Sequence, residues 1–226
     1  MGKSKDLATG ETRFVNTAGD TMTGVLTVDG GSTDNTVAHF KSGTANTYIK
    51  LSDSSTTNGV FVGATNEDMT LWSNNTERMK IDGSGRVTMP NQPSFAAAVS
   101  ANNWTTSSPA DCPFDTELYD IGGHYNTSNY TFTAPVAGRY FTSFFLNRYT
   151  DSRFDMAFLI NGSARHVLEV REAGAGQWHM ESAQVILSLS ANDAVKLRIT
   201  SVITTGSAIF DGGGTLYDVF SMHLLG

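Results

Sequence analysis

The sequence predicts an all-β protein in which a short, β-rich oligomeric stalk precedes an antiparallel jelly roll. Only 16% of the 226 residues are charged, and much of the polarity comes from Thr, Gly, Ser and Asn, which suit strands and turns. Apolar residues alternate with polar ones in short segments, and no segment shows a convincing helical period of 3.6 residues. Of the Phe, Tyr and Trp residues, 5 lie in residues 1–92 and 18 in residues 93–226. A large core is therefore expected only in the second part.

The first part reads as short strands bounded by Asn, Gly, Ser or Asp. The predicted strands are residues 24–28, 47–51, 59–62, 69–72, 78–81 and 86–89. The sequence Asp82-Gly83-Ser84-Gly85 predicts a hairpin between the last two. Strands this short and polar cannot stand alone, so we expect several chains to pair side by side and close the exposed edges. This predicts an intertwined stalk over residues 19–92, which ends at Pro90 and Pro93.

The second part alternates more clearly and predicts a two-sheet antiparallel sandwich or jelly roll over residues 93–226. The predicted strands lie at 95–100, 130–133, 140–146, 154–160, 166–171, 183–189, 195–200 and 216–225. Turn signals separate them at Asn161-Gly162, Asn192-Asp193 and residues 212–214. Eight or more strands in so short a stretch are typical of this architecture.

Composition excludes several classes of protein. The longest apolar runs have five residues, whereas a membrane-spanning helix needs about 20, so no membrane insertion is expected. No apolar stretch follows Lys3 and Lys5, so we expect synthesis in the cytoplasm without a secretory signal. Cys112 is the sole cysteine and cannot form an internal disulfide. The net charge of −7 disfavours nucleic acid as a partner.

The spacing of seven residues in the second part resembles the signature of the C1q globular head. These residues are Phe114, Asp120, Tyr125, Phe132, Gly138, Tyr140 and Phe144. At Thr142 the family has Phe instead. The resemblance implies a ten-stranded jelly roll of the TNF-like superfamily and a homotrimer. For Gly138, between Pro135-Val136-Ala137 and an aromatic strand, we expect a positive φ, which glycine adopts without strain.

Two segments of the first part resemble elements of bacteriophage tail fibres. Residues 19–28 read Gly-Asp-Thr-Met-Thr-Gly-Val-Leu-Thr-Val, and residues 75–87 contain Thr-Glu-Arg-Met-Lys-Ile-Asp-Gly-Ser-Gly. The resemblance implies that residues 1–18 form the end nearest the virion and contact other tail or baseplate proteins. It also places the protein in the virion.

The motifs of the sequence predict no catalytic residue, no cofactor and no metal ligand. Cys112 has no basic run beside it, so the interpretation is a plain small side chain in a loop or strand end. The five histidines lack metal-ligand spacing, although three copies of His124 or His223 near a trimer axis would be able to hold a metal or anion. Among carboxylate pairs, Asp115 and Glu117 share a strand face at a spacing that a glycosidase would need.

Two segments are candidates for receptor recognition. The first is residues 147–153, which joins two predicted strands and combines Arg with Tyr, residue types that are common at interfaces. The second is residues 173–179, where an indole is available to stack on a sugar ring. The candidate residues are Arg148, Tyr149, Asp151, Arg153, Trp178 and His179. The alternatives are trimer packing for the aromatic residues and solvated charge for the arginines.

These observations predict a structural virion appendage, a trimeric tail fibre whose head binds a host-surface glycan or outer-membrane receptor. One alternative is a capsid, neck or hub fibre that mainly joins other virion proteins. A second alternative is a fibre enzyme that degrades host glycan. A third, a cellular C1q-type ligand, is disfavoured because the chain has no collagen-like Gly-x-y repeat.

Overall fold

The structure is a computed structural model of the chain. It describes residues 40–100, 104–106, 109–149, 153–170, 178–202, 208–210 and 218–226. The chain divides into two compact units, residues 1–47 and residues 48–226. In the described end of the first unit, the Ser42 amide donates to the Thr47 hydroxyl at 3.3 Å. The predicted strand at residues 24–28 lies outside the described residues.

Five strands form a sheet before the proline joint. They are β1 (Asn46–Leu51), β2 (Val60–Thr65), β3 (Asp68–Ser73), β4 (Thr76–Ile81) and β5 (Val87–Thr88). Their order follows the chain, and β2 to β5 pair antiparallel with their sequence neighbours. The five predicted strands at 47–89 are confirmed. Tight turns bring successive strands together within one chain, and we call this element the N-terminal sheet. The intertwined stalk, in which several chains close the exposed edges, stays a prediction.

Thirteen strands follow in residues 93–226, the head. They are β6 (Ser94–Ala98), β7 (Trp104–Thr106), β8 (Ala110–Asp111), β9 (Thr116–Ile121), β10 (Tyr125–Asn126), β11 (Thr131–Thr133), β12 (Gly138–Tyr149), β13 (Phe154–Ile160), β14 (Ser163–Val170), β15 (Trp178–Leu189), β16 (Ala194–Val202), β17 (Ala208–Phe210) and β18 (Val219–Leu224). The larger sheet has the order β7-β17-β12-β18-β6-β9, with β15 also pairing β12. The smaller sheet has the order β10-β11-β16-β13-β14, with β8 on β16.

The two head sheets enclose one aromatic core. Phe220 of the larger sheet lies 5.1 Å from the Phe95 ring and 6.2 Å from the Phe158 ring of the smaller sheet. The predicted inward rows are confirmed, since Leu197, Ile199 and their neighbours on β13 and β15 are buried. Of the signature residues, the side chains of Phe114, Tyr125, Phe132, Tyr140 and Phe144 are buried. The all-β antiparallel fold is confirmed.

Gly138 departs from the sequence-based expectation. Its φ is not positive, because the residue begins strand β12 in extended backbone. A Cβ there would lie 2.7 Å from Leu224 Cδ1 and 3.3 Å from the Gly226 carbonyl oxygen. Glycine is therefore required by a close approach to the C-terminal strand. At Thr142, a fully buried hydroxyl lies 3.4 Å from the Tyr140 carbonyl oxygen.

In the described part of the chain, no helix is long and apolar enough to cross a membrane. The predicted domain boundaries at residues 18 and 92 stay predictions. At the joint, the Gln92 side chain donates to the Leu224 carbonyl oxygen at 3.0 Å, and the Asn91 side chain donates to the Glu77 carbonyl oxygen at 2.9 Å. Both residues are thus fixed by hydrogen bonds.

Candidate functional site

Strand register brings both candidate segments to one end of the head. On the larger sheet, Tyr149 at the end of β12 lies opposite Trp178 at the start of β15. On the smaller sheet, Phe154 begins β13 opposite Val170 and Val202. The chain enters at the opposite end of the sheets, where Ser94 pairs with His223. We call the end that carries the described residues Tyr149, Arg153, Phe154, Val170 and Trp178 the loop end.

Arg148 was predicted as a recognition residue in a loop, and this interpretation requires correction. β12 extends through Tyr149, so Arg148 lies within a strand, on its inward-facing side. Its side chain is only 2% exposed, and Nε donates to Glu181 Oε1 at 2.6 Å. Its guanidinium also lies 5.9 Å from the centre of the Phe154 ring. Arg148 is therefore placed to hold the base of the loops and not to contact a receptor.

A buried carboxylate supports the same end. Asp218 is fully buried, and its Oδ1 accepts a hydrogen bond from the Asn147 amide at 2.6 Å. Its Oδ2 lies 3.3 Å from the indole Nε1 of Trp104. The Trp104 ring stacks on Phe210 with centroids 4.1 Å apart. Buried charged groups of this kind fix geometry when they are fully bonded, so the loops rise from a rigid base.

Trp178 is the most exposed of the described candidate side chains, at 46%. It begins β15 and alternation places it on the outward side, together with Met180, which is 62% exposed. His179 points the other way, and its buried Nε2 has no hydrogen-bond partner among the described residues. A half-exposed indole at a sheet edge offers an apolar plate and a donor, which suits stacking on a ring-shaped ligand.

Arg153 and Glu169 form an ion pair at the loop end. Arg153 Nη2 lies 2.6 Å from Glu169 Oε1, and both side chains remain about a third exposed or more, at 34% and 41%. The pair joins the first residues of β13 to the last of β14. The pair is therefore partly open to solvent at this end of the head. Of the other candidates, Asp151 lies outside the described residues, as does the side chain of Tyr149.

The outer face of the larger sheet is the second notable surface. Phe141 lies on this face and pairs across β12 with Ile186 on one side and His223 on the other. Phe141 is 36% exposed and Ile186 56%. Strand β9 lies two strands beyond β18 in the same sheet, and its Tyr119 and Ile121 are similarly exposed. Because apolar side chains on one sheet face need a covering layer, this face has the character of an interface.

A polar pair lies within this outer face. The Tyr119 hydroxyl lies 3.2 Å from His223 Nε2. Burial lowers the pKa of His223 below its usual value and raises the pKa of Tyr119. Both groups are therefore neutral at pH 7, so the charge on this face comes from other residues, such as the exposed Arg139 of β12.

The residues weighed for catalysis are engaged in structural roles. Burial raises the pKa of the Cys112 thiol far above neutrality, so a nucleophilic thiolate is disfavoured. The two Asp115 carboxylate oxygens accept hydrogen bonds from the Ser100 amide at 2.7 Å and from its hydroxyl at 2.6 Å. Among the described residues, no group of three or more His, Cys, Asp or Glu is arranged to hold a metal ion.

Sequence reasoning missed the outer face because it missed β9. The segment Thr116–Ile121 mixes polar and apolar residues without a clean row, and only Glu117 and Asp120 were singled out in it. A signal was nevertheless present in β12, where Tyr140, Phe144 and Leu146 alternate with Phe141 and Phe145, so that large apolar side chains lie on both faces. A strand that is apolar on both faces is covered on both, which predicts an interface beyond the core.

Comparison with known proteins identifies the head. A model of the C1q domain matches residues 94–225. Among solved structures, the globular domain of zebrafish complement 1qA protein is similar to 60% of this chain over 98% of its own length, with 14% identity and a TM-score of 0.44. Eiger TNF from S. frugiperda covers 59% of this chain and 91% of its own, with 13% identity and a TM-score of 0.42. No curated protein matches the chain.

Proposed function

Since the chain belongs to the C1q domain family through residues 94–225, we propose that it is a trimeric bacteriophage tail fibre whose jelly-roll head binds a receptor on the host surface. Domains of this family commonly form homotrimers and serve as binding modules. The receptor is a glycan or an outer-membrane component. Residues 1–18 attach the fibre to tail or baseplate proteins of the virion.

The outer face of the larger head sheet carries the trimer proposal. It exposes Phe141, Ile186, Tyr119 and Ile121 on one side of the sheet. Two further copies of the head would cover this surface and remove it from water. The expected assembly has a mass of three times 24.3 kDa. Three heads on one fibre raise avidity, so each receptor contact is allowed to be weak.

The loop end supports receptor binding. It combines the half-exposed indole of Trp178 with the Arg153–Glu169 pair, and its base is rigid through the Arg148–Glu181 pair and Asp218. A stacking plate and fixed polar groups are the elements that recognise a sugar. The phage assignment itself is supported by the two tail-fibre-like segments at residues 19–28 and 75–87.

The test is competition for adsorption by the full-length protein. The Trp178→Ala variant is expected to compete with phage adsorption at least about fivefold less well than the native protein, because loss of a stacking contact is worth about 1 kcal/mol at each head that binds. Arg153→Gln is expected to reduce competition by a smaller factor. Matched controls are Val136→Ala and Arg165→Gln, which change exposed residues at the other end of the head sheets.

Light scattering of the same variants shows whether each one remains trimeric, which separates a loss of receptor binding from a loss of assembly. A trimeric Trp178→Ala protein with reduced competition supports the proposal. Native-like competition by both variants excludes the loop end as the receptor site. Dissociation of Trp178→Ala into monomers assigns the indole to packing between subunits instead.

A further inference from the structure

The N-terminal sheet has two chemically different faces. In the paired register, Val62 of β2 lies opposite Leu71 of β3, which lies opposite Met79 of β4. Alternation in the five strands places ten apolar residues on this same face. They are Ile49, Leu51, Val60, Val62, Ala64, Met69, Leu71, Met79, Ile81 and Val87. We call this surface the apolar face.

The opposite face is polar, and its aromatic side chains pack against one another. The Tyr48 ring lies 5.8 Å from the Phe61 ring and 6.0 Å from the Trp72 ring. On the same side, Lys80 Nζ lies 2.6 Å from Asp68 Oδ2. The charged side chains of Lys80 and Asp68 therefore lie on the polar face and not on the apolar face. A bulge takes Arg78 out of the alternation, and its Nε donates to Ser73 at the margin of the sheet.

No side chain of the apolar face is fully buried within the described part of one chain. Met69 in the central strand is 50% exposed and Val87 is 53% exposed. Four six-residue strands spaced about 4.8 Å apart present a face of roughly 400 Å². A continuous apolar patch of a few hundred Å² marks an interaction surface. The sheet therefore lacks one layer.

We propose that this missing layer is the same face of two other copies of the chain, so that three N-terminal sheets share one apolar core. The inference rests on the trimer of the proposed function. It names the surface that continues this trimer into the stalk. An uncharged face is complementary to itself, since no like charges meet when copies approach.

The joint makes identical copies the favoured occupant. Residues 89–93 span at most about 17 Å even when fully extended, so three joined heads hold three N-terminal sheets close together. A short tether of this kind raises the effective concentration of each sheet for the others into the millimolar range. The two hydrogen-bonded joint residues, Asn91 and Gln92, restrict the tether further.

Site-specific cross-linking of the full-length protein tests the arrangement. Met69→Cys places a thiol on the apolar face, and Thr88→Cys places one on the polar face, where residue 88 pairs with Lys80. The native Cys112 is fully buried, so it serves as an unreactive background. A bismaleimide is expected to yield about tenfold more covalent dimer from the residue 69 variant, because packed sheets lie about 10 Å apart on their facing sides.

A charge placed on one face provides the matched control. Val87 and Thr88 are adjacent, both exposed, and on opposite faces of β5. Val87→Glu is expected to abolish cross-linking through residue 69, since it introduces three carboxylates into the shared core. Thr88→Glu is expected to leave cross-linking unchanged, because its carboxylate faces Lys80.

Each result decides between the two proposals. Equal cross-linking at positions 69 and 88 in a protein that is trimeric by light scattering overturns the shared core and leaves the trimeric fibre intact. That outcome would also be seen if another protein covered the apolar face. A monomeric native protein overturns the trimer of the fibre proposal together with this inference. Selective cross-linking at position 69 that Val87→Glu removes supports the shared core.

Discussion

The N-terminal sheet and the head are built from similar strands in which apolar and polar residues alternate, yet only the head buries its apolar side chains within one chain. Every apolar side chain that the structure describes as fully buried lies at or beyond Phe95. In the N-terminal sheet the apolar face has no covering layer, and Thr70 is its one buried side chain among the described residues. The difference teaches that alternation specifies which residues share a face, whereas a second sheet is needed to form a core.

This contrast also separates two kinds of stability. The head closes its own core within one chain, through the ring contacts of Phe220, Phe95 and Phe158. The N-terminal sheet is held by hydrogen bonds and turns, which contribute little net free energy without apolar burial. Its stability is therefore expected to depend on protein concentration, as it does for elements completed by association.

The largest effect is expected in the head core. Phe220→Ala should lower the free energy of unfolding of the head by about 3–5 kcal/mol, because it leaves a cavity among four other aromatic rings. Val167→Ala is the control, since it removes an apolar side chain that is 61% exposed on β14 of the smaller sheet. Denaturant unfolding measures both. A similar loss in the two variants would contradict the self-contained core.

A smaller effect is expected in the hairpin of the N-terminal sheet. Gly85 has a φ of +81°, whereas Gly83 has no positive φ. Gly85→Ala should destabilise the sheet by about 1–2 kcal/mol, the cost of a left-handed L-residue. Gly83→Ala should be nearly neutral, because its Cβ would meet Glu67 at an ordinary 3.6 Å. Thermal unfolding that shows equal losses would remove the turn argument.

The smallest effect is expected at Asp111 and depends on pH. Burial opposes its charged form, but Lys196 and Arg198, each 2.7 Å away, outweigh burial and hold its pKa below the usual value. The stabilisation by this pair, about 1 kcal/mol or less, is present above the unfolded pKa of about 3.9. It is lost as pH falls through the lowered folded pKa.

Comparison of native protein with Asp111→Asn checks this expectation. The difference in melting temperature should be greatest at pH 5–7 and should close toward pH 2. A difference that is constant across this range would show that the carboxylate charge does not matter. Since Asp111 joins β8 to β16, the effect should appear in head unfolding alone.

Much of the fold followed from local sequence. The strands at 47–89 and the longer head strands were predicted because each is an alternating run between turn residues. The turn at Asn161-Gly162 was predicted as well, and both residues have positive φ. β7, β8, β10 and β17 were missed, because strands of two or three residues exist only through pairing with partners far along the chain.

The candidate site was predicted less well. Trp178 and Arg153 were predicted in two separate recognition loops, and both side chains are partly exposed, while their role in recognition stays a prediction. Arg148 was predicted to lie in a loop but lies in strand β12. The prediction failed because a charged residue next to Tyr149 and Thr150 resembles a solvent-exposed loop when only the sequence is considered. Burial of its charge depends on Glu181, 33 residues away along the chain, and no local pattern shows such a partner.

The sequence by itself determined the β character of the chain, the inward rows of the strands and the division into an aromatic-rich and an aromatic-poor part. These properties follow from residue type and from the two-residue period of a strand, both of which are local. Only the tertiary structure decided which end of the head gathers Trp178, Arg153 and Glu169, and which sheet faces stay uncovered. Those outcomes depend on pairing between strands that lie far apart in sequence. Such pairing stabilises the fold only after the chain has lost the conformational entropy of closing the loops between the strands.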